Sequence, residues 1–146
     1  MLIRGHRPEW VERSPTIVKI LLIDDHAMVR DALARMLRWL GHTVLPAPSG
    51  QAGLAQLETS DEVDLVLTDF QMPGMNGVEV AKAVRTRWPH VHVGIITGAP
   101  ELLAEHRDPV DLVIFKPASF EAIQEGLSQI VHSVKRIGRT GAPQPS

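Results

Sequence analysis

The chain contains no cysteine. Disulfides, thiolate metal sites and a cysteine nucleophile are therefore excluded, and the composition fits a reducing compartment. Long apolar runs are also missing. Nothing approaches the ~20 residues that span a bilayer. The first 16 residues are charged and interrupted by Pro8 and Pro15, without the apolar stretch of a secretory signal. A cytoplasmic location without membrane contact is the expectation. An excess of one charge is absent too. Fifteen Lys and Arg stand against 17 Asp and Glu, a formal net charge of −2. Electrostatics therefore gives no basis for direct nucleic-acid binding. What is present, in 146 residues, is 44% hydrophobic and 22% charged side chains. That is enough to bury one core and build one domain.

Charge divides the chain. Residues 1–16 read as an N-terminal extension, in which Trp10 and Val11 are the candidates to dock on the domain. Residues 17–132 read as the folded domain. From Ile17 to Val131 there are 9 basic and 15 acidic side chains. Residues 133–146 read as a basic tail holding Lys135, Arg136 and Arg139. Its end, from Gly138 onward, has too little apolar surface to offset ordering, so the tail is expected to be disordered and solvated.

Within the domain, strand and helix patterns alternate five times. Val18–Ile23 is a short apolar run rich in β-branched residues, the pattern of a buried strand. Val29, Leu33, Met36, Leu37 and Leu40 follow at helical spacing, closed by Gly41. Thr43–Ala47 is a second strand, which Pro46 and Pro48 mark as an edge. Ser49 caps a helix to about Glu58. Val63–Thr68 is the third strand, followed by a Pro/Gly-rich turn through Gly77. Val78, Val80, Ala81, Val84 and Trp88 form the next helical face, stopped by Pro89. Val91–Thr97 is the fourth strand. Leu102–His106 is a short helix at best, and Val110–Phe115 is the fifth strand. A final helix starts at Ser119 and shows Phe120, Ile123, Leu127, Ile130 and Val131 on one face. Strict alternation predicts an α/β fold, a parallel sheet with helices on both faces.

Ligands of such sheets sit beyond the carboxyl ends of the strands. Here those ends carry Asp24-Asp25, Asp69, Thr97-Gly98 and Lys116-Pro117. Three carboxylates held together repel one another unless a cation joins them. Oxygen ligands select a hard cation, and Mg²⁺ favours one or two carboxylates together with phosphate oxygens and water. Lys116 and the Thr97 hydroxyl suit the oxygens of a transferring phosphoryl group. Asp69, at the end of a middle strand, is the candidate nucleophile that would become an aspartyl phosphate. Asp24 and Asp25 read as metal holders. His90 and His92, spaced i and i+2, find no third ligand and read as surface or packing residues. His26 reads as a solvated loop histidine. Trp39, Trp88, Met72 and Met75 read as packing residues.

These motifs resemble the receiver domain of two-component response regulators. The matching segments are Ile23-Asp24-Asp25-His26, Leu67 to Gly77, Ile96-Thr97-Gly98 and Phe115-Lys116-Pro117, and the resemblance covers about Val18 to Val131. It implies a flavodoxin-like (βα)5 three-layer sandwich with a five-stranded parallel sheet in the order 2-1-3-4-5. It implies that Asp69 accepts a phosphoryl group from the phosphohistidine of a sensor histidine kinase or histidine phosphotransfer protein. Mg²⁺ would be bound by Asp25, Asp69 and the main-chain carbonyl of Gln71, with Asp24 acting through water. Thr97 and Lys116 would contact the phosphoryl oxygens, and the Lys116–Pro117 peptide would be cis. Such a domain is not an enzyme in the ordinary sense, since it catalyses only its own phosphorylation and dephosphorylation. A homodimer is compatible with the resemblance.

The departures concern output. The position that often carries a switching aromatic residue is Val113, with Phe115 two residues further on the same side of the strand. The stretch from Thr97 to Lys116 is short and contains Pro100 and Pro109. Pro109-Val110-Asp111 replaces a common Gly-Ala pair. Ala99 is small enough to leave a phosphoryl group open to water, which Gln71 can orient. Three rival functions would call for other residues at these positions. A haloacid-dehalogenase-type aspartyl-phosphate hydrolase needs Asp-x-Asp, where this chain has Asp24-Asp25-His26. A flavin carrier needs a Ser/Thr/Gly-rich phosphate loop, where this chain has His26 to Val29. A degenerate receiver used as a protein-binding module would not need the full acidic and basic set. Only about 15 residues follow the last helix, too few for an output domain, so the chain reads as a stand-alone regulator or a receiver from a larger protein.

Overall fold

Continuous burial along the first strand shows that both faces of the sheet are covered. The computed structural model describes residues 17–105 and 108–136. Strand β1 (Lys19–Ile23) is buried from Ile20 onward. Because successive strand side chains point to opposite faces, Ile20 and Leu22 enter one apolar layer while Leu21 and Ile23 enter the other. Helices must therefore cover both faces. Helix α1 (Ala27–Trp39) and the C-terminal helix α4 (Phe120–Arg136) supply Leu33, Leu37, Ile123 and Leu127 to the first layer. Helices α2 (Gly50–Thr59) and α3 (Gly77–Arg87) supply Leu57, Val80 and Val84 to the second. Each buried aliphatic side chain of this size contributes roughly 1.5–3 kcal/mol.

The other strands are β2 (Thr43–Ala47), β3 (Leu65–Asp69), β4 (His92–Thr97) and β5 (Leu112–Phe115). All neighbours are parallel, in the order β2-β1-β3-β4-β5. This is the flavodoxin-like (βα)5 sandwich with its sheet order 2-1-3-4-5. The chain leaves β1 toward β2, then returns to the other side of β1 for β3. That reversal opens a crevice at the carboxyl ends of β1 and β3. The edge position of β2 accommodates Pro46, which opposes Leu22 of β1.

Strands β1, β3 and β4 begin one or two residues later than the sequence reading and β3 ends at Asp69, and three further differences bear on the architecture. The segment after β4 is a 3₁₀ turn at Pro100–Leu103 instead of a helix over 102–106. Pro100 has no N–H to donate and fits the first turn of the segment, where that donor has no partner anyway. Here Leu103 joins Phe70, Val78 and Ile95 in a third small apolar cluster. Strand β5 begins at Leu112 instead of Val110. Helix α4 runs to Arg136, beyond the expected domain limit at residue 132. The cause is Val134, buried to 1%, which continues the apolar face of Ile123, Leu127 and Ile130. His106, the N-terminal extension with Trp10 and Val11, and the tail beyond Arg136 lie outside the described residues.

Gly77 couples the fold to its rim. It opens α3 directly beneath the end of β3, and a Cβ there would lie 2.6 Å from the Asp69 carbonyl oxygen and 3.0 Å from Phe70 Cα. Both obstacles are backbone, so neither can rotate away. The close approach is sealed by the Gly77 N–H, which donates to the Phe70 carbonyl at 2.8 Å. Gly77→Ala should lower stability by about 1–3 kcal/mol, the usual cost of overpacking, read as a lower urea midpoint.

Candidate functional site

Asp24 lies just past β1 and is held from three sides. Its N–H donates to the Ala47 carbonyl at 3.1 Å. The Arg30 guanidinium of α1 donates to its carbonyl at 2.7 Å, and the His26 N–H donates to its Oδ1 at 2.8 Å. Its side chain is buried. Asp25, next along, is partly exposed, yet its Oδ1 is buried and accepts no hydrogen bond. Asp69 ends β3 with its carboxylate buried. The Phe70 N–H donates to Asp69 Oδ1 at 2.9 Å, and Lys116 Nζ pairs with the same oxygen at 2.9 Å. Asp24, Asp25, His26 and Asp69 each present a ligand atom, and all four atoms lie within 4.8 Å of one another.

The remaining residues of the set lie along the same rim. Thr97 ends β4, is buried, and its Oγ1 accepts the Ala99 N–H at 2.9 Å. The Lys116 N–H donates to the Thr97 carbonyl at 2.8 Å, which ties the fourth and fifth strand ends together. The Lys116–Pro117 peptide is cis. Gln71 is exposed in the turn between β3 and α3. That turn is shaped by Gly74 at φ 80° and ends in a capping box, in which Asn76 and Glu79 exchange hydrogen bonds of 2.9 Å. Val113 is half-buried against the third apolar cluster, and Phe115 is 57% exposed. An apolar residue thus stands where the resemblance implies a switching aromatic; it packs in the cluster that holds the buried Phe70, while the Phe115 ring two residues on is largely exposed.

His26 is the residue the sequence undervalued. Its imidazole is exposed, but Nδ1 lies 3.4 Å from Asp25 Oδ1 and 3.6 Å from Asp24 Oδ1. The signal was its position. As N-cap of α1, with extended backbone (φ −95°, ψ 109°), it turns its N–H onto Asp24, and this returns the side chain to the acidic pair. Arg30 was also unmarked, because its contact is to a main-chain carbonyl that no pattern of side chains reveals. His92 Nδ1 lies 3.7 Å from Asp111 Oδ2 at the opposite end of β4, away from this rim. Trp39 packs edge-on against Phe120, with ring centroids 5.3 Å apart. The Arg87 guanidinium covers Trp88 at 4.3 Å.

The electrostatics are unfavourable without a cation. Burial pushes the Asp24 carboxyl above the usual carboxylate range, and the charges of Asp69 and Asp25 push it the same way. The His26 N–H and Lys116 oppose them without reversing the shift. A divalent cation would resolve both this repulsion and the orphaned Asp25 oxygen. The carboxylate oxygens of Asp24, Asp25 and Asp69 are the hard donors that Mg²⁺ prefers, so the residues present fit that ion.

Charge neutralisation should be visible in stability. A group whose pKa is raised by folding costs stability above its native pKa and costs nothing below its unfolded value near 4. Without divalent ions, Asp24→Asn should therefore raise stability at neutral pH by about 0.5–2 kcal/mol, the range typical of relieved charge contacts. The gain should shrink as pH falls through the native pKa of Asp24. Urea unfolding at neutral and acid pH checks both the sign and the trend.

Comparison with known proteins gives a consistent result. The sequence profile of the family described as "Response regulator receiver domain" matches residues 20–128. A chemotaxis protein CheY homolog of Campylobacter jejuni is 30% identical over 120 residues, covering 78% of this chain and 92% of that protein. Among solved structures, a response regulator receiver domain protein from Clostridium thermocellum superimposes with a TM-score of 0.75 at 26% identity, covering 83% of this chain and 99% of that one. The response regulator protein TrrA from Thermotoga maritima, solved in complex with Mg²⁺-BeF, gives a TM-score of 0.71 at 25% identity, covering 78% and 99% of the two chains.

Proposed function

The chain belongs to the response regulator receiver domain family, and from that premise we propose that it accepts a phosphoryl group on Asp69 from a phosphohistidine. The donor would be a sensor histidine kinase or a histidine phosphotransfer protein. The observation that carries this reading is the 2.9 Å pair between Lys116 Nζ and Asp69 Oδ1, set beside two further carboxylates at the carboxyl rim of the sheet. A surface lysine would have no reason to reach a buried aspartate from a different strand. The same pair speaks against a degenerate receiver, and His26 in place of a second spaced aspartate speaks against the hydrolase.

The residues divide the work. Asp69 Oδ1 is held by the Phe70 N–H and Lys116, which leaves Oδ2 as the attacking oxygen. As the Asp69 Oδ2–phosphorus bond forms, the bond from phosphorus to the imidazole nitrogen of the donor breaks. That nitrogen keeps the electron pair and is protonated from solvent. Lys116 then follows the negative charge from Asp69 to a phosphoryl oxygen, and the Thr97 hydroxyl donates to another. Mg²⁺, held by Asp25, Asp69 and the Gln71 main-chain carbonyl, with Asp24 acting through water, would supply positive charge to the phosphoryl oxygens. Catalysis is confined to the chain's own phosphorylation and dephosphorylation. For loss of the phosphoryl group, Ala99 leaves room for a water and Gln71 stands near enough in sequence to orient one.

Acetyl phosphate with Mg²⁺ should add one phosphoryl group by intact mass, and Asp69→Asn should abolish the addition. Retention of the added mass in Asp69→Asn would place the acceptor elsewhere. Lys116→Ala should leave the fold intact and weaken the phosphorylated state. A phosphotransfer profile against candidate histidine kinases identifies the donor.

Removing the charge at Asp25 should cost metal affinity. Asp25→Ala is expected to bind Mg²⁺ at least roughly tenfold more weakly, about 1.4 kcal/mol. Titration calorimetry measures this directly. Unchanged affinity would remove Asp25 from the ligand set. Among the described residues, no helix is long and apolar enough to cross a membrane.

A further inference from the structure

We propose that His26 gives the acidic site a nitrogen donor, and with it a preference for borderline transition ions over Mg²⁺. This rests on the reading of Asp24, Asp25 and Asp69 as the cation site, and it concerns which ion that site selects. Three observations converge. His26 Nδ1 faces both members of the acidic pair, at 3.4 Å and 3.6 Å. Its ligand atom belongs to one group with those of Asp24, Asp25 and Asp69, all within 4.8 Å. Donors on opposite sides of a first-row ion lie about 4.2 Å apart, from metal–ligand bonds near 2.1 Å, so small side-chain adjustments bring Asp25, Asp69 and His26 around one ion, with Asp24 reaching it through water. The third observation is the Asp25 Oδ1 atom, buried without a hydrogen-bond partner although this imidazole stands beside it. The pair is close, but not arranged as a hydrogen bond.

The backbone places the imidazole there. The His26 N–H donates to Asp24 Oδ1, which fixes the residue over the acidic pair before its side chain makes any contact. The ring itself is 67% exposed, so packing does not account for its orientation, and rotation toward an ion would disturb no core contact. An all-oxygen set suits Mg²⁺, Ca²⁺ and Mn²⁺, whereas an imidazole shifts a site toward Co²⁺, Ni²⁺ and Zn²⁺. Because the nitrogen adds to the carboxylates without replacing one, such an ion would compete with Mg²⁺ for the same position. Metal identity then becomes a variable in how readily Asp69 is phosphorylated.

The test uses the full chain with Co²⁺ and Mg²⁺ as separate probes, each titrated by calorimetry into the parent, His26→Gln and Asp25→Ala. The parent should bind Co²⁺ more tightly than Mg²⁺. His26→Gln should weaken Co²⁺ by about tenfold or more and leave Mg²⁺ within about twofold, well under the ~1.4 kcal/mol that a tenfold change represents. Proton NMR of the Co²⁺ form should show a strongly shifted, exchangeable imidazole N–H that His26→Gln lacks. The ring is exposed, so the substitution leaves the fold intact, which circular dichroism verifies. Unchanged Co²⁺ affinity, or equal changes for both ions, would overturn the proposal and leave His26 as a counter-charge to the aspartates. If Asp25→Ala bound both ions as the parent does, the cation site itself would be misassigned, and the proposal would fall with it.

Discussion

Mutual repulsion among three carboxylates at one rim of the sheet is the constraint around which this molecule is organised. Asp24 and Asp69 are buried, and Asp25 has an oxygen that no donor reaches. In a medium less polarisable than water, such charges interact strongly and are costly to leave uncompensated. The chain offers partial compensation. Lys116 lies against Asp69, the His26 and Phe70 N–H groups donate to the carboxylates, and the His26 ring stands beside the acidic pair. The raised pKa of Asp24 shows that this compensation is incomplete. The site is therefore under tension without added positive charge, and the cation-assisted phosphoryl acceptance proposed above would use that same tension.

Holding like charges together requires a scaffold that does not yield. Strands β1, β3 and β4 are buried on both faces, and their apolar side chains anchor two separate layers. The local devices at the rim are small and mutually dependent. Gly77 permits α3 to start against the Asp69 carbonyl, the Asn76–Glu79 capping box secures that start, and Lys116 is tied to Thr97 through the backbone. Each positions a functional side chain through main-chain geometry. Changes at Gly77, Asn76 or Glu79 would be felt at the site although none of the three belongs to its acidic and basic set.

The output side departs from the family pattern more than the acceptor side does. Val113 packs half-buried against the cluster of Phe70, Val78, Ile95 and Leu103. It has neither the size nor the two-position freedom of an aromatic ring. Between β4 and β5 the chain makes a 3₁₀ turn at Pro100–Leu103, with no long helix among the described residues there. On the proposed reading, in which Lys116 and Thr97 contact the phosphoryl oxygens, the backbone bond between them would be the link from the site to β5. Its surface expression would have to be read from other elements than a rotating ring and a long fourth helix.

Much of this was legible in the sequence, because the signals were local. Period-two and period-3.6 patterns reflect which side of an element meets the core, and strict alternation of the two leaves a parallel sheet as the economical solution. Parallel strands share one carboxyl edge, so the residues ending them, Asp24, Asp25, Asp69, Thr97 and Lys116, were recognisable as neighbours before any coordinates. What required the tertiary structure were relations that side-chain identity does not encode. The reach of α4 to Arg136 depends on whether Val134 finds an apolar surface beneath it. The shortening of the segment at Pro100 depends on Leu103 finding its cluster. The role of His26 depends on a backbone N–H turning toward Asp24. Sequence carries the chemistry of each group and the periodicity of its element. Only the packed chain sets the distance and direction between groups, and electrostatics and coordination depend on both.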